Sequence, residues 1–150
     1  MDLILWRHAD AEPGEPDLDR ALSAIGVGQA ERMAAWLEAR LPAAARVLVS
    51  PAVRAQQTAR ALRRDFRVVP ELAPGASVGT ILGVAGWPDA RVPSLIVGHQ
   101  PALGEAVAWL LSGLEASWSI RPGALWWLAG QVREDDVVVA VRAVIAPDSV

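Results

Sequence analysis

The chain has 150 residues, 53% hydrophobic and 21% charged, which excludes a disordered protein and predicts one packed domain over residues 1–150. It has no cysteine and no lysine, so thiolate metal ligands, cysteine nucleophiles, Walker-type phosphate loops and lysine Schiff bases are all excluded. A net charge of −3 and a pI near 5.3 speak against nucleic acid as a partner.

Leu3–Trp6 is a short apolar run that meets Arg7-His8 and then a polar stretch to Arg20, the pattern of a buried parallel strand feeding a loop. Ser23 can cap a helix whose apolar positions Val27, Ala30, Met33, Ala34, Leu37 and Leu41 recur at helical spacing, and Pro42 closes it. Val47–Val49 reads as a second strand. Ser50-Pro51 then reads as a cap followed by proline, opening a helix to about Arg63 or Arg64. Phe66–Val69 predicts a third strand, and residues 71–93 a Gly/Pro-rich stretch with one helical segment around Val78–Ala85. Ser94–Val97 is a fourth apolar run ending in Gly98-His99, and Pro101 opens a helix to about Leu111. Ala124–Ala129 and Val137–Ile145 predict a hairpin turning around Arg133–Asp136. Its second strand alternates Val137, Val139, Val141, Ala143 and Ile145 as a strand with unequal faces would.

Strand–helix alternation over the first two-thirds predicts a three-layer α/β/α domain, its sheet mostly parallel, with right-handed crossovers and an antiparallel C-terminal hairpin at one edge. No basic leader precedes the first strand and no apolar run is long enough to span a bilayer, so the expected location is the cytoplasm.

Ligands of such sheets bind beyond the carboxyl ends of the strands. Both histidines of the chain, His8 and His99, fall there, with Arg7 beside the first and Arg54 in the opening turn of the helix after the second strand. Arginine forks grip phosphate oxygens in a two-pronged manner, and a helix N-terminus favours an anion. A neutral imidazole is a nucleophile, and an imidazolium is a donor and a cation. Two arginines, one histidine nucleophile and one histidine cation make a pocket suited to a phosphoryl group, where alignment and charge stabilisation do most of the catalysis. Two histidines and a carboxylate could in principle hold zinc, but the flanking arginines repel a cation; no metal and no cofactor is expected.

The segment Leu5-Trp6-Arg7-His8-Ala9 resembles the Arg-His-Gly motif of the histidine phosphatase (phosphoglycerate mutase-like) superfamily. Ser50-Pro51-Ala52-Val53-Arg54-Ala55-Gln56-Gln57-Thr58-Ala59 is similar to its Ser-Pro-x-x-Arg-Ala-x-Gln-Thr-Ala segment, and Val97-Gly98-His99-Gln100-Pro101 to its second histidine motif. Small size, Arg-His-Ala-Asp-Ala, the run Arg20-Ala21-Leu22-Ser23 with Gly26, and Pro70-Glu71-Leu72 with Pro74 resemble the SixA-type phosphohistidine phosphatases. The resemblance implies that His8 is the nucleophile that becomes phosphorylated, that Arg7, Arg54 and His99 hold the phosphoryl oxygens, and that water then hydrolyses phospho-His8.

Two departures bear on this. Ala9 stands where the superfamily has glycine, which admits backbone angles that alanine avoids. Larger members carry a glutamate after the third strand as general acid for an alkoxide, whereas Glu71 falls a few residues early here. A phosphohistidine nitrogen leaves more easily than an alkoxide, so the expected substrate is phosphohistidine in a signalling or phosphotransfer protein. Asp10, Glu12 and Glu71 are the candidate acids. The alternatives are a small-molecule phosphate monoester phosphatase on the same scaffold and a phosphate-binding regulatory module without turnover. A receiver domain is excluded by the absent lysine. The acidic residues Asp10, Glu12, Glu15, Asp17 and Asp19 read as a solvated loop, with Arg20 in a surface salt bridge to Asp17 or Asp19. Of the adjacent Trp126 and Trp127, one ring on each face of a strand, one is expected to be partly exposed.

Overall fold

The computed structural model describes residues 1–150. Six strands form one sheet: β1 (Asp2–Arg7), β2 (Arg46–Val49), β3 (Arg67–Val68), β4 (Ser94–Gly98), β5 (Leu125–Arg133) and β6 (Asp136–Ile145), in the order β3-β2-β4-β1-β5-β6. The pairs β2–β3, β2–β4 and β1–β4 are parallel, and β5 joins β1 and β6 antiparallel, which places the expected hairpin at the sheet edge. Four helices cover it: α1 (Ala24–Glu38), α2 (Val53–Arg60), α3 (Val78–Ala85) and α4 (Ala102–Ser112).

The apolar runs that read as strands do so because both of their faces are covered. Successive strand residues point to opposite faces. Ile4 and Trp6 accordingly pack with Met33 and Leu37 of α1 and Ala55 of α2. Leu3 and Leu5 pack on the other side with Ile81 of α3 and Leu103 of α4. Trp6 is fully buried and its Nε1 donates to the Gly123 carbonyl at 2.8 Å, so the ring fills the core without an orphaned donor. Trp127 lies buried against Trp36, while Trp126, on the opposite face, is only half-buried against Trp118, as their adjacency in a strand predicts.

The caps explain where the helices begin. Ser23 Oγ accepts from the Gly26 amide at 3.0 Å and Ser77 Oγ from the Thr80 amide at 3.1 Å, satisfying donors that have no partner within the helix. Gly26 is required by packing: a Cβ there would lie 1.9 Å from the Asp10 carbonyl oxygen, so α1 rides directly on the loop after β1.

Three details differ from the expectations. The second helix begins at Val53 with Ala52 at its cap, because Ser50 is engaged elsewhere, and it ends at Arg60; Arg63 turns to φ 53°, which the helix cannot follow. Val27 is exposed, so the buried stripe of α1 runs through Gly26, Ala30, Met33, Ala34 and Leu37. The alternation of β6 is broken by a bulge at Arg142: Val137, Val139 and Val141 lie on the face of Leu128, whereas Ala143 and Ile145 lie on the other with Trp127 and Leu125, and Val137, Val138 and Val141 are all exposed.

Candidate active site

In the sheet β4 lies between β1 and β2, with Arg7 opposite Gly98 and Val49 opposite Val97, so three parallel strands end side by side. Each ladder runs one residue further: the His8 amide donates to the Gly98 carbonyl and the Ser50 amide to that of Val97, both at 3.0 Å. His8, Ser50 and His99 therefore leave the sheet at one edge. All three are buried, and the two imidazole centroids are 5.1 Å apart.

Arg54, 4% exposed, bridges the rings. Its Nε donates to His8 Nε2 at 3.3 Å, and its Nη2 lies 3.4 Å from His99 Nδ1. His8 Nδ1 is 2.7 Å from the Ala9 carbonyl oxygen, which can only accept, so Nδ1 carries the proton and Nε2 presents its lone pair. His99 Nε2 is 2.7 Å from Ser50 Oγ, which also accepts from the Ala52 amide at 3.1 Å. Thr58 joins the two halves: its Oγ1 accepts from the Ala9 amide at 3.0 Å and donates to the Arg54 carbonyl at 2.8 Å. Ala9 is fully buried and does not adopt a positive φ, so this loop does not need the glycine that the superfamily motif carries.

Arg7 donates from Nη1 to the Ile120 carbonyl at 2.7 Å, while its buried Nε has no partner. Burial, with Asp10 opposing it and Arg54 adding to it, pulls its pKa below the ordinary arginine value. It remains a cation at neutral pH.

Burial also dominates the histidines, because a low-dielectric site penalises the charged imidazole. The pKa of His8 is lowered to about 4 by burial and by Arg54, Arg7 and Arg20, against the opposing hydrogen bond to Ala9. That of His99 is lowered to about 3 by burial and then by His8, Arg54 and Arg7, with Asp17 opposing. Both rings are neutral at pH 7. The expected pairing of a neutral histidine with a histidine cation is therefore corrected for the ligand-free site, whose positive charge resides on Arg7 and Arg54.

Sequence reading missed Asp17. Its loop folds over α2, so that Arg54 donates from Nη1 to the Asp17 carbonyl oxygen at 2.8 Å and from Nη2 to Asp17 Oδ2 at 3.0 Å. Arg20 binds the other carboxylate oxygen at 3.0 Å, as the expected salt bridge, and anchors to the Glu12 carbonyl. Arg20 and Arg54 together hold the Asp17 carboxyl below its ordinary pKa. The loop is solvent-exposed as expected, and Asp17 in addition reaches inward to Arg54. Ser50 and Thr58 were likewise visible only as motif letters. Of the candidate acids, Asp10 Oδ2 accepts from Ser23 Oγ at 2.6 Å, and Glu12 and Glu71 are exposed.

Two buried histidines, a bridging arginine and a second arginine with a free buried donor thus gather at the carboxyl edge of a parallel sheet, where ligands of α/β folds bind, and their charge suits an anion. Residues 3–76 match the model of the histidine phosphatase superfamily, branch 1. The chain is 34% identical over 122 residues to the phosphohistidine phosphatase SixA of Escherichia coli strain K12, covering 75% of this chain and 76% of that protein. The chain belongs to the histidine phosphatase superfamily. A solved structure of the protein histidine phosphatase SixA complexed with tungstate superposes with a TM-score of 0.79 at 26% identity, over 99% of both chains. Phosphoserine phosphatase from Entamoeba histolytica, solved with 3-phosphoglyceric acid, shares the fold with a TM-score of 0.70 at 14% identity, over 95% of both chains.

Proposed function

We propose that the protein is a metal-independent phosphatase that takes the phosphoryl group from phosphohistidine in a signalling or phosphotransfer protein and passes it through phospho-His8. The observation that carries this reading is the state of His8: neutral, with Nδ1 committed to the Ala9 carbonyl and Nε2 turned to the Arg54 guanidinium. A lone pair fixed beside a cation is what in-line attack on phosphorus needs.

His8 Nε2 attacks phosphorus, the substrate P–N bond breaks, and the leaving imidazole takes its proton from solvent. The Ala9 carbonyl stabilises the charge that His8 acquires, through Nδ1–H. Arg54 and the free Nε of Arg7 hold the equatorial oxygens. In the free site His99 Nδ1 accepts from Arg54 and its Nε2–H donates to the Ser50 hydroxyl; the incoming phosphoryl anion draws a proton onto Nδ1, so that His99 joins the arginines as a donor while keeping its bond to Ser50. Water then attacks phospho-His8, releasing inorganic phosphate and restoring the neutral ring.

Phosphohistidine is favoured over an ester because Asp17, the carboxylate that bonds directly to Arg54, is held ionised by two arginines and is no proton donor at neutral pH. An alkoxide needs such a donor; a departing imidazole does not. Tungstate, an oxyanion shaped like phosphate, is what the similar SixA structure contains.

The test is to incubate the protein with a ³²P-phosphohistidine protein and, separately, with a ³²P-sugar phosphate, and to quench in alkali. Acid-labile, alkali-stable label is expected on the wild type from the first donor and absent from His8→Ala. Equal labelling and turnover from the sugar phosphate would assign the protein to small esters. No transfer from either donor would leave a binding module.

A further inference from the structure

We infer that β6 is a self-complementary docking edge through which two copies of this chain join their sheets about a two-fold axis at Val139. The six-stranded sheet has two free edges. One is β3, only two residues long. The other is β6, ten residues long, with no proline and no lysine; its one bulge, against Trp127 and Leu128, falls at Arg142 and leaves Asp136–Val141 regular. A long open strand of this kind is a template for another strand, and soluble proteins either guard it or use it.

The direction of its free backbone groups follows from the hydrogen bonds on the far side of β5. The Gly130 amide donates to the Met1 carbonyl at 2.8 Å, and the Gly130 carbonyl accepts from the Met1 amino group at 2.7 Å. Gly130 therefore faces β1 with both groups, and its partner across the β5–β6 ladder, Val139, turns its own amide and carbonyl away from β5. By the period of two, Val137 and Val141 do the same. In an antiparallel β6–β6 pairing centred on Val139, Val139 bonds reciprocally to the partner's Val139, and each Val137 to the partner's Val141.

Side chains select that register. A two-fold axis perpendicular to the sheet keeps each face on its own side, so opposed residues must share a face and only alternate registers are possible. With the axis at Val139, Asp136 lies opposite the partner's Arg142, and Arg142 opposite the partner's Asp136. Moving the axis to Val138 or Ala140 sets Asp136 against an alanine or a valine. Arg142 is already drawn onto this sheet face by Asp2 and the Trp127 ring, 5.0 Å from its guanidinium carbon, and its side chain is still half exposed. Between the two ion pairs the strand reads Val137-Val138-Val139-Ala140-Val141, with Val138 49% and Val141 48% exposed in the single chain. Because the opposite edge is so short, the assembly closes as a two-fold dimer and does not propagate into a fibre. The strand enters the pairing by the end that points away from the histidines, so both sites stay open.

Sedimentation equilibrium and amide hydrogen exchange test this on the full chain. The expected mass is twice the 15.9 kDa of one chain, with the Val137, Val139 and Val141 amides protected from exchange. Val139→Pro removes an amide that β5 does not use, and Asp136→Arg sets two arginines face to face; each is expected to raise the dissociation constant at least about tenfold, with the urea midpoint of the monomer retained. A wild type that stays at 15.9 kDa with those three amides unprotected overturns the proposal. So does a dimer, alone or with another protein's strand, whose affinity neither substitution moves.

Discussion

Lowering the pH from 7.5 to 5 is expected to remove about 4 kcal/mol of folding stability through the two histidines alone. In the unfolded chain each imidazole titrates near pH 6.5; in the fold His8 titrates near 4 and His99 near 3. A depressed folded-state pKa means that the unfolded chain binds protons first. The stability is therefore whole above pH 6.5 and is lost as pH falls toward the folded values. At pH 5 each unfolded imidazole has gained about 2 kcal/mol of protonation free energy that the fold barely shares. Both rings are more than nine-tenths shielded, so solvent screening does not dilute the effect. Urea unfolding at the two pH values measures it directly, with His8→Asn and His99→Asn as comparisons. Each variant should lose about 2 kcal/mol less than the wild type over this interval, since every other ionisable group is common to all three chains. If both asparagine variants lost as much stability as the wild type, the rings would not be held neutral and the account of the nucleophile would fail with them.

Arg54→Lys keeps the charge but not the planar fork that reaches both rings; turnover of a phosphohistidine protein should fall by about 10²–10³-fold, measured at saturating substrate. Thr58→Val leaves the Ala9 amide buried without an acceptor, which should lower stability by about 1–3 kcal/mol in urea unfolding and reduce turnover through the displaced His8 loop. Gly104→Ala would drive a methyl to 1.8 Å from the Trp118 carbonyl oxygen, and a loss of about 3 kcal/mol is expected from the forced separation of α4 and the loop segment at Trp118. An unchanged midpoint in this last variant would show that the segment yields freely.

The parts of this molecule that were legible in its residues are those whose signal is local. Leu3–Trp6 and Ser94–Val97 declared themselves because a strand covered on both faces is apolar throughout, and Ser23 because a cap bonds three residues ahead. His8, Arg7, Arg54 and His99 could be placed at one edge because strand ends are local as well. What could not be read depends on how distant pieces meet. Asp17 contacts Arg54 across 37 residues of sequence, and nothing in an acidic loop says which cation it will find. Ser50 before Pro51 has the form of a helix cap, and only the arrival of His99, 49 residues later, turns its hydroxyl to a different task. The faces of β6 escaped notice for the same reason: alternation counts every residue, whereas the bulge that its pairing with β5 sets at Arg142 moves Ala143 and Ile145 to the other face.

The position of β4 has a consequence for how the chain acquires its pocket. β1 and β2 are made early but do not touch; each borders β4, whose residues come after position 93. Until that late strand inserts, the loop bearing His8 and the helix bearing Arg54 have no common floor beneath them. Closing the sheet is thus a long-range event, slow in the way that non-local pairings are, and it is the same event that seats His99. A nascent or half-folded chain holds no assembled pocket, so the proposed phosphoryl transfer could begin only when the sheet is complete.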